Sequence, residues 1–137
     1  MENEAVLINK YESIEKCINR INEEYDNNPD NLEDYRKMDA IVLNLQRACE
    51  MATDAAMYVV SNRRLGIPQT KKEVFEKLNK NGLISDEMCA NMKGMVGFIN
   101  IAIHEYKQID EDIVRDVIEN HLGDIKEFVR TMINLER

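Results

Sequence analysis

Apolar residues recur at alternating intervals of three and four along most of the chain, the spacing of one face of an α-helix. The first stripe has 4-3-4-3-4 spacing and consists of Leu7, Tyr11, Ile14, Ile18, Ile21 and Tyr25. The second has 3-4-3-4-3-4-3 spacing and consists of Tyr35, Met38, Val42, Leu45, Cys49, Ala52, Ala56 and Val59. Because alanines make the second face slim, we expect a neighbouring helix to approach it closely.

Two further stripes predict two more long helices. One consists of Met88, Met92, Met95, Val96, Ile99 and Ile103, and the other of Val114, Ile118, His121, Ile125, Phe128, Met132 and Leu135. A short helical stretch through Leu78 lies before them. The pattern predicts an all-α fold, an up-and-down antiparallel bundle of four long helices plus a short connector helix, in a single domain over residues 1–137.

Capping residues and turn formers divide these stripes. We expect each helix to begin after a side chain that accepts a hydrogen bond from a free N–H of the first turn. The expected caps are Asp30 with Glu33, Thr70 with Glu73, Ser85 and Asp110. The expected stops are Leu65–Pro68 and Asn81–Gly82, since glycine favours the capping conformation and proline cannot continue a helix.

The composition indicates where the protein is located and which partners it can bind. The acidic start lacks the features of a signal peptide, and no run approaches the roughly 20 apolar residues of a membrane span. The three cysteines form no CxxC pair, so we expect reduced thiols and a cytoplasmic location. The formal net charge of -8 opposes nucleic-acid binding, because that binding normally comes from lysine and arginine contacts to phosphates.

Several familiar kinds of site are missing from the sequence. There is no GxxxxGK[ST] or GxGxxG loop for a phosphate. His104 and Glu105 begin like a zinc-binding HExxH motif, but Gln108 stands where the second histidine belongs. The cysteines have no histidine partner at an informative spacing. We therefore expect no cofactor and no metal.

The chain has two histidines. His121 lies on the last apolar stripe, which predicts a histidine at the edge of the core that is bonded to a neighbour. His104 lies off the apolar face near the end of its helix. From the residues alone, it is either an ordinary surface histidine or an exposed group that titrates near neutral pH and takes part in chemistry.

Four segments together resemble the HepT-type HEPN proteins. The strongest match is Asn100–Tyr106, read as NIAIHEY, followed by Ile109–Asp110 and Asp112–Val114. The others are Val42–Ala48, Leu65–Gln69 and Met95–Phe98. Each is modest alone, but they cover nearly the whole chain in the right order and at the right spacing.

The resemblance implies a toxin of a toxin–antitoxin pair. Such proteins are helical homodimers that act as metal-independent ribonucleases, with an RNA substrate (tRNA or mRNA) rather than DNA or a membrane. Their signature is Arg, four residues, then His, often with Asn after the Arg and with Tyr two residues after the His. The implied partner is a small antitoxin of nucleotidyltransferase (MNT) fold, which transfers AMP to that tyrosine and silences the toxin.

Carried onto this sequence, the resemblance implies His104 and Asn100 as catalytic residues and Tyr106 as the AMP acceptor. Ile99 stands at the position of the arginine. Isoleucine offers neither charge nor a hydrogen bond to a phosphorane. Because removing one such stabiliser costs roughly 3–4 kcal/mol, or 10²–10³ in rate, we expect this chain to be catalytically impaired.

Other readings of these residues stay open. Arg47 on the second helix suits a structural ion pair or a dimer contact, whereas Arg63 and Arg64 suit the helix end or a basic rim that contacts RNA or a second copy. From chemistry alone, Tyr106 is a half-buried amphipathic side chain. The alternative function is a non-catalytic helical dimer that only binds a nucleotidyltransferase-fold or other protein, and a purely structural bundle is a third possibility.

Overall fold

The computed structural model describes residues 2–104 and 109–137, which form six α-helices. They are α1 (Glu2–Tyr25), α2 (Tyr35–Asn62), α3 (Lys71–Lys80), α4 (Asp86–His104), α5 (Glu111–Asp116) and α6 (Leu122–Leu135). A 3₁₀ turn (Pro29–Glu33) precedes α2, and a π turn (Val117–His121) joins α5 to α6. The predicted all-α bundle is confirmed. None of the described helices is both long enough and apolar enough to cross a membrane.

Helix α2 lies at the centre of the bundle. It contacts α1, α3, α4 and α6. Its closest approaches are possible because Ala48, Ala52, Ala55 and Ala56 are fully buried. On the other side of the core, Phe75 of α3 meets Phe128 of α6 edge to face, with ring centroids 5.3 Å apart. The slim face predicted for the second helix is therefore buried against its neighbours, among which α1 packs most extensively on α2.

The start of α2 differs from the prediction. The cap is Asp34, whose carboxylate accepts hydrogen bonds from the backbone N–H groups of Arg36 (2.9 Å) and Lys37 (3.2 Å). The predicted capping box of Asp30 and Glu33 is wrong, because both residues belong to the 3₁₀ turn. That turn is tied to the end of α1, where Asn31 donates a hydrogen bond to the carbonyl oxygen of Tyr25 (2.7 Å).

The end of α2 also comes earlier than predicted. The helix stops at Asn62, and the first residue in the left-handed region is Arg64, with φ of 55°. The backbone N–H of Leu65 then donates to the carbonyl oxygen of Val60 at 3.0 Å, which satisfies a terminal carbonyl. The predicted stop at Leu65–Pro68 is therefore three residues too late, and Gly66 (φ 108°) lies in the following loop.

The predicted caps Thr70, Ser85 and Asp110 are confirmed, but the capping box of Thr70 and Glu73 is only half formed, because the Glu73 carboxylate accepts from the N–H of Gln69. The hydroxyl of Thr70 accepts from the N–H of Glu73, and the hydroxyl of Ser85 accepts from the N–H of Met88, both at 3.1 Å. Asp110 accepts from the N–H groups of residues 112 and 113 at 2.9 and 3.3 Å. The predicted turn at Asn81–Gly82 also ends α3.

The last predicted helix is interrupted by the π turn. His121 ends this turn, with Nε2 3.2 Å from Asp116 and Nδ1 2.8 Å from Asp124. The hydrogen bond to Asp124 raises the pKa of His121, and the charge of Asp116 adds to the effect. The prediction of a core-edge histidine bonded to neighbours is confirmed, whereas the prediction of one continuous helix is wrong.

A buried tyrosine links α1 to the π turn and generates a prediction about pH. The Tyr25 hydroxyl donates to the carboxylate of Glu119, and this bond, helped by Arg115, holds the pKa of Glu119 below its ordinary value. The resulting stability is present above the ordinary glutamate pKa of about 4.3 and is lost as pH falls through the lower folded pKa.

We expect Tyr25→Phe to lower the free energy of unfolding near neutral pH and to flatten its dependence on pH below about 5. Urea unfolding of both proteins across that range measures the difference. Parallel acid dependence in the two proteins would contradict the assignment.

Candidate functional site

A narrow cleft lies between α2, the start of α3 and the second half of α4. We call it the α2–α4 cleft; its lining residues are Gln46, Cys49, Glu50, Thr53, Lys71, Val96, Ile99, Asn100 and Ile103. The cavity volume is about 30 Å³, which is room for one water molecule or a group of that size. Two of these residues, Ile99 and Asn100, belong to the motif region identified from the sequence.

Asn100 and His104 lie on one face of α4. They are four residues apart, so their side chains project from the same side of the helix one turn from each other. Both are exposed, and His104 is the last residue of α4. A ligand that enters the α2–α4 cleft at Asn100 can therefore reach the imidazole of His104.

Ile99 is only 5% exposed and belongs to the hydrophobic core while also lining the cleft. The bundle accommodates isoleucine here by packing it between α2 and α4. An arginine at this position would have to extend its guanidinium outward along the cleft wall, where the carboxylate of Glu50 also lies. The apolar residue thus stabilises the fold but adds no charge to the cleft.

Tyr106, the remaining motif residue, lies outside the described residues. The described chain resumes at Ile109, two residues before α5.

The three arginines considered from the sequence are not among the residues that line the α2–α4 cleft. Burial raises the pKa of Cys17 on α1, and the charges of Arg47 and Arg20 oppose that shift, which places Arg47 on the α1 side of α2. Arg63 donates to the carbonyl oxygen of Leu135 (2.7 Å) and so holds the end of α6. Arg64 lines a separate pocket of about 350 Å³ with Met57, Val60, Ser61, Gly66, Ile67 and Pro68.

Two cations missed by the sequence reasoning lie against α4 instead. Lys71 lines the cleft together with Asn100. Lys72 crosses α4 at Gly97, where an added Cβ would come within 3.0 Å of the lysine Cε and Nζ atoms. One feature of the sequence could have drawn attention to these lysines. They directly follow the Thr70 cap, in the first turn of a helix, where the positive end of the helix dipole disfavours lysine.

The cysteines are free and buried. Burial raises the pKa of Cys49 to about 12, so its thiol stays protonated at neutral pH and is a poor nucleophile. Within residues 2–104 and 109–137, no group of three His, Cys, Asp or Glu side chains is arranged to hold a metal ion.

Comparisons with known proteins bear on this site. The family model of HepT-like ribonucleases matches residues 14–132. The chain is 39% identical over 124 residues to the mRNA nuclease HepT of Shewanella oneidensis, a match that covers 90% of this chain and 93% of the relative.

Solved structures agree with the sequence matches. A toxin–antitoxin complex with AMP-PNP superposes with a TM-score of 0.88 at 37% identity, covering 93% of this chain and 97% of the other. A tri-AMPylated HEPN toxin of Shewanella oneidensis in complex with its MNT antitoxin superposes with a TM-score of 0.86 at 38% identity, covering 92% and 95%.

Because Asn100 is exposed whereas Ile99 is buried, substitutions at the two positions should differ in their effect on stability. We expect Asn100→Ala to leave the free energy of unfolding unchanged or to raise it by up to about 0.7 kcal/mol, since alanine is the better helix former. In contrast, Ile99→Ala should lower the free energy of unfolding by about 2–5 kcal/mol, because it opens a cavity beside α2. Urea unfolding measures both, and a loss above about 1 kcal/mol for Asn100→Ala would contradict its placement.

Proposed function

Because this chain belongs to the HepT-like ribonuclease family, we propose that it is the toxin component of a HEPN/MNT toxin–antitoxin system. In this proposal, residues 1–137 form a single HEPN-like domain that acts on RNA in the cytoplasm without a metal. The observation that carries the proposal is the exposed pair of Asn100 and His104 on one face of α4, at the motif spacing. The naming of the Shewanella oneidensis relative as an mRNA nuclease supports RNA as the substrate class.

The proposed chemistry is attack of a ribose 2′-oxygen on the adjacent phosphorus, with departure of the 5′-oxygen. The exposed imidazole of His104 takes the proton of the 2′-hydroxyl and returns it to the departing 5′-oxygen. The Asn100 amide donates a hydrogen bond to a phosphate oxygen in the cleft. The phosphorane gains negative charge as it forms, so a nearby cation lowers the barrier.

Ile99 sets the expected level of activity. Since its side chain is apolar and 5% exposed, it offers nothing to the phosphorane at the position where the family has arginine. We propose that the chain is impaired as a nuclease for this reason.

A homodimer completes the proposed site. The cleft of one copy has a volume of about 30 Å³, which admits a phosphate oxygen but not a whole nucleotide, so RNA needs further surface. Apolar side chains stand exposed on the cleft side of α4 and along the outer face of α2, with exposures of 39% for Ile103, 43% for Leu43 and 40% for Met57. Covering them with a second copy would remove apolar surface from water and bring two motifs together.

The proposed regulator is an MNT-fold nucleotidyltransferase that transfers AMP to Tyr106. The AMPylated relative in complex with its MNT antitoxin supports both the partner and the modification. A nucleotide on a tyrosine two residues after His104 would add bulk and negative charge next to the imidazole. RNA phosphate would then be excluded by sterics and repulsion.

A non-catalytic role is the second candidate, and Ile99 together with the net charge of -8 favours it. In that case the chain is a helical dimer that binds the nucleotidyltransferase or another protein and cuts no RNA.

Restoring the arginine tests the role of position 99. We expect Ile99→Arg to cleave RNA faster than the natural chain by tenfold or more, up to about 10³-fold, whereas the uncharged control Ile99→Met should not. His104→Ala should abolish the gain. Cleavage of total tRNA and of an mRNA transcript, each at low and moderate salt, measures the rates. Equal rates for Ile99→Arg and Ile99→Met would refute the role, and no cleavage by any variant would favour the non-catalytic dimer.

Mass spectrometry tests the modification. With ATP and an MNT-fold antitoxin such as that of the Shewanella oneidensis relative, we expect one or more AMP-sized mass increments on the natural chain and none on Tyr106→Phe. Tyr35→Phe is the matched control, because Tyr35 is 82% exposed and lies on α2. If Tyr106→Phe takes the same label as the natural chain, the acceptor assignment fails.

A further inference from the structure

The α2–α4 cleft poses a problem of charge. A ribonuclease site must hold an anionic phosphodiester and stabilise the additional charge of its transition state. Position 99 offers no charge, and Arg47, Arg63 and Arg64 do not line the cleft. Within residues 2–104 and 109–137, a cation that serves this cleft has to be sought among its other lining residues.

Helix α3 brings such a cation to the cleft. Lys71 is exposed and lines the same cleft as Asn100 and Ile99. Glu50 is the acid in the lining, but its carboxylate accepts a hydrogen bond from the Gln46 amide (3.1 Å). Among the ion pairs within residues 2–104 and 109–137, none involves Lys71.

A glycine lets a second cation approach the same helix. A Cβ at Gly97 would lie 3.0 Å from both Cε and Nζ of Lys72. Gly97 precedes Asn100 by three residues, so both positions lie on one side of α4. The ammonium group of Lys72 therefore rests on α4 about one turn from the amide of Asn100.

Helix stability does not explain these two lysines. The first turn of α3 carries the positive end of the helix dipole, where lysine is unfavourable. Lys77 and Lys80 occupy the favourable last turn of the same helix. Glu73 provides the acid of the first turn and bonds to the N–H of Gln69 (3.1 Å) and to Lys77 (3.7 Å).

We propose that Lys71 and Lys72 form a phosphate-binding subsite that supplies, from α3, the positive charge missing at position 99. The ligand is the phosphodiester backbone of RNA. Lys71 contacts the phosphate held beside Asn100, and Lys72 extends the positive surface over Gly97 toward the start of α4. This inference rests on the proposed ribonuclease function and gives the impaired chain a source of residual activity.

Charge-matched variants in two backgrounds test the subsite. In the natural chain we expect Lys71→Gln to reduce the rate of RNA cleavage by tenfold or more, a loss that Lys71→Arg largely avoids. Lys80→Gln is the control, because it removes the same charge from the other end of the same helix. In the Ile99→Arg background, Lys71→Gln should reduce the cleavage rate much less, since the arginine now provides the charge. If Lys71 had only a structural role, the substitution would reduce the rate by the same factor in both backgrounds.

A glycine substitution gives an independent readout. We expect Gly97→Ala to raise the melting temperature, because alanine is the better helix former, and yet to weaken binding of a 2′-deoxy-substituted RNA oligonucleotide by displacing Lys72. Lys72→Gln should weaken that binding more than Gly97→Ala does, because it removes the charge instead of shifting it, and should reduce the slope of log affinity against log salt by about one unit.

The outcomes separate the inference from the proposed function. If the natural chain cleaves RNA and Lys71→Gln behaves like Lys80→Gln, the subsite is wrong while the ribonuclease function stands. The same holds if only Ile99→Arg cleaves, because the lysines then fail to supply the missing charge. Equal losses from Lys71→Gln in both backgrounds also overturn the inference, whereas no cleavage by the natural chain or by Ile99→Arg refutes the function itself.

Discussion

Close packing against α2 is the constraint on which the rest of the molecule depends. Four buried alanines let neighbouring helices approach α2, and α1, α3, α4 and α6 all contact it. Because α4 is held against α2, Ile99 is buried in the seam while Asn100 and His104 face outward. The same packing brings the first turn of α3 onto α4. Apolar burial thus fixes the relative positions of the exposed polar side chains of α3 and α4, which contribute little to stability themselves.

Charge is the second constraint, and it works against the proposed activity. The chain carries a formal net charge of -8, which repels RNA at long range, although a few cations concentrated in a cleft can still favour a phosphate locally. The isoleucine at position 99 removes the cation that the family motif would place there. Among the described residues, the lysines at the start of α3 lie against the same face of α4, at some cost from the dipole of their own helix. In the proposed ribonuclease site, the positive charge therefore comes from α3 rather than from α4.

The sequence predicted the parts of this picture that depend on local rules. Apolar periodicity predicted the helices, and short-range capping chemistry predicted Thr70, Ser85 and Asp110. It failed where tertiary contacts decide the outcome. The 3₁₀ turn docks on the end of α1 and moves the cap of α2 to Asp34, while bonds from Tyr25 and His121 accompany the π turn that interrupts the last stripe. Lys71 and Lys72 were missed for the same reason, because their position beside α4 depends on the packing of α3 against α2 and α4.

The two histidines offer the most direct measurement of where RNA binds. His104 is exposed at the end of α4, whereas His121 is bonded through both ring nitrogens to Asp116 and Asp124. NMR spectra of the imidazole groups, recorded during titration with a 2′-deoxy-substituted RNA oligonucleotide that cannot be cleaved, distinguish the two positions. The account predicts that the signals of His104 and of the Asn100 side-chain amide shift while those of His121 stay fixed. Shifts at His121 without shifts at His104 would contradict it.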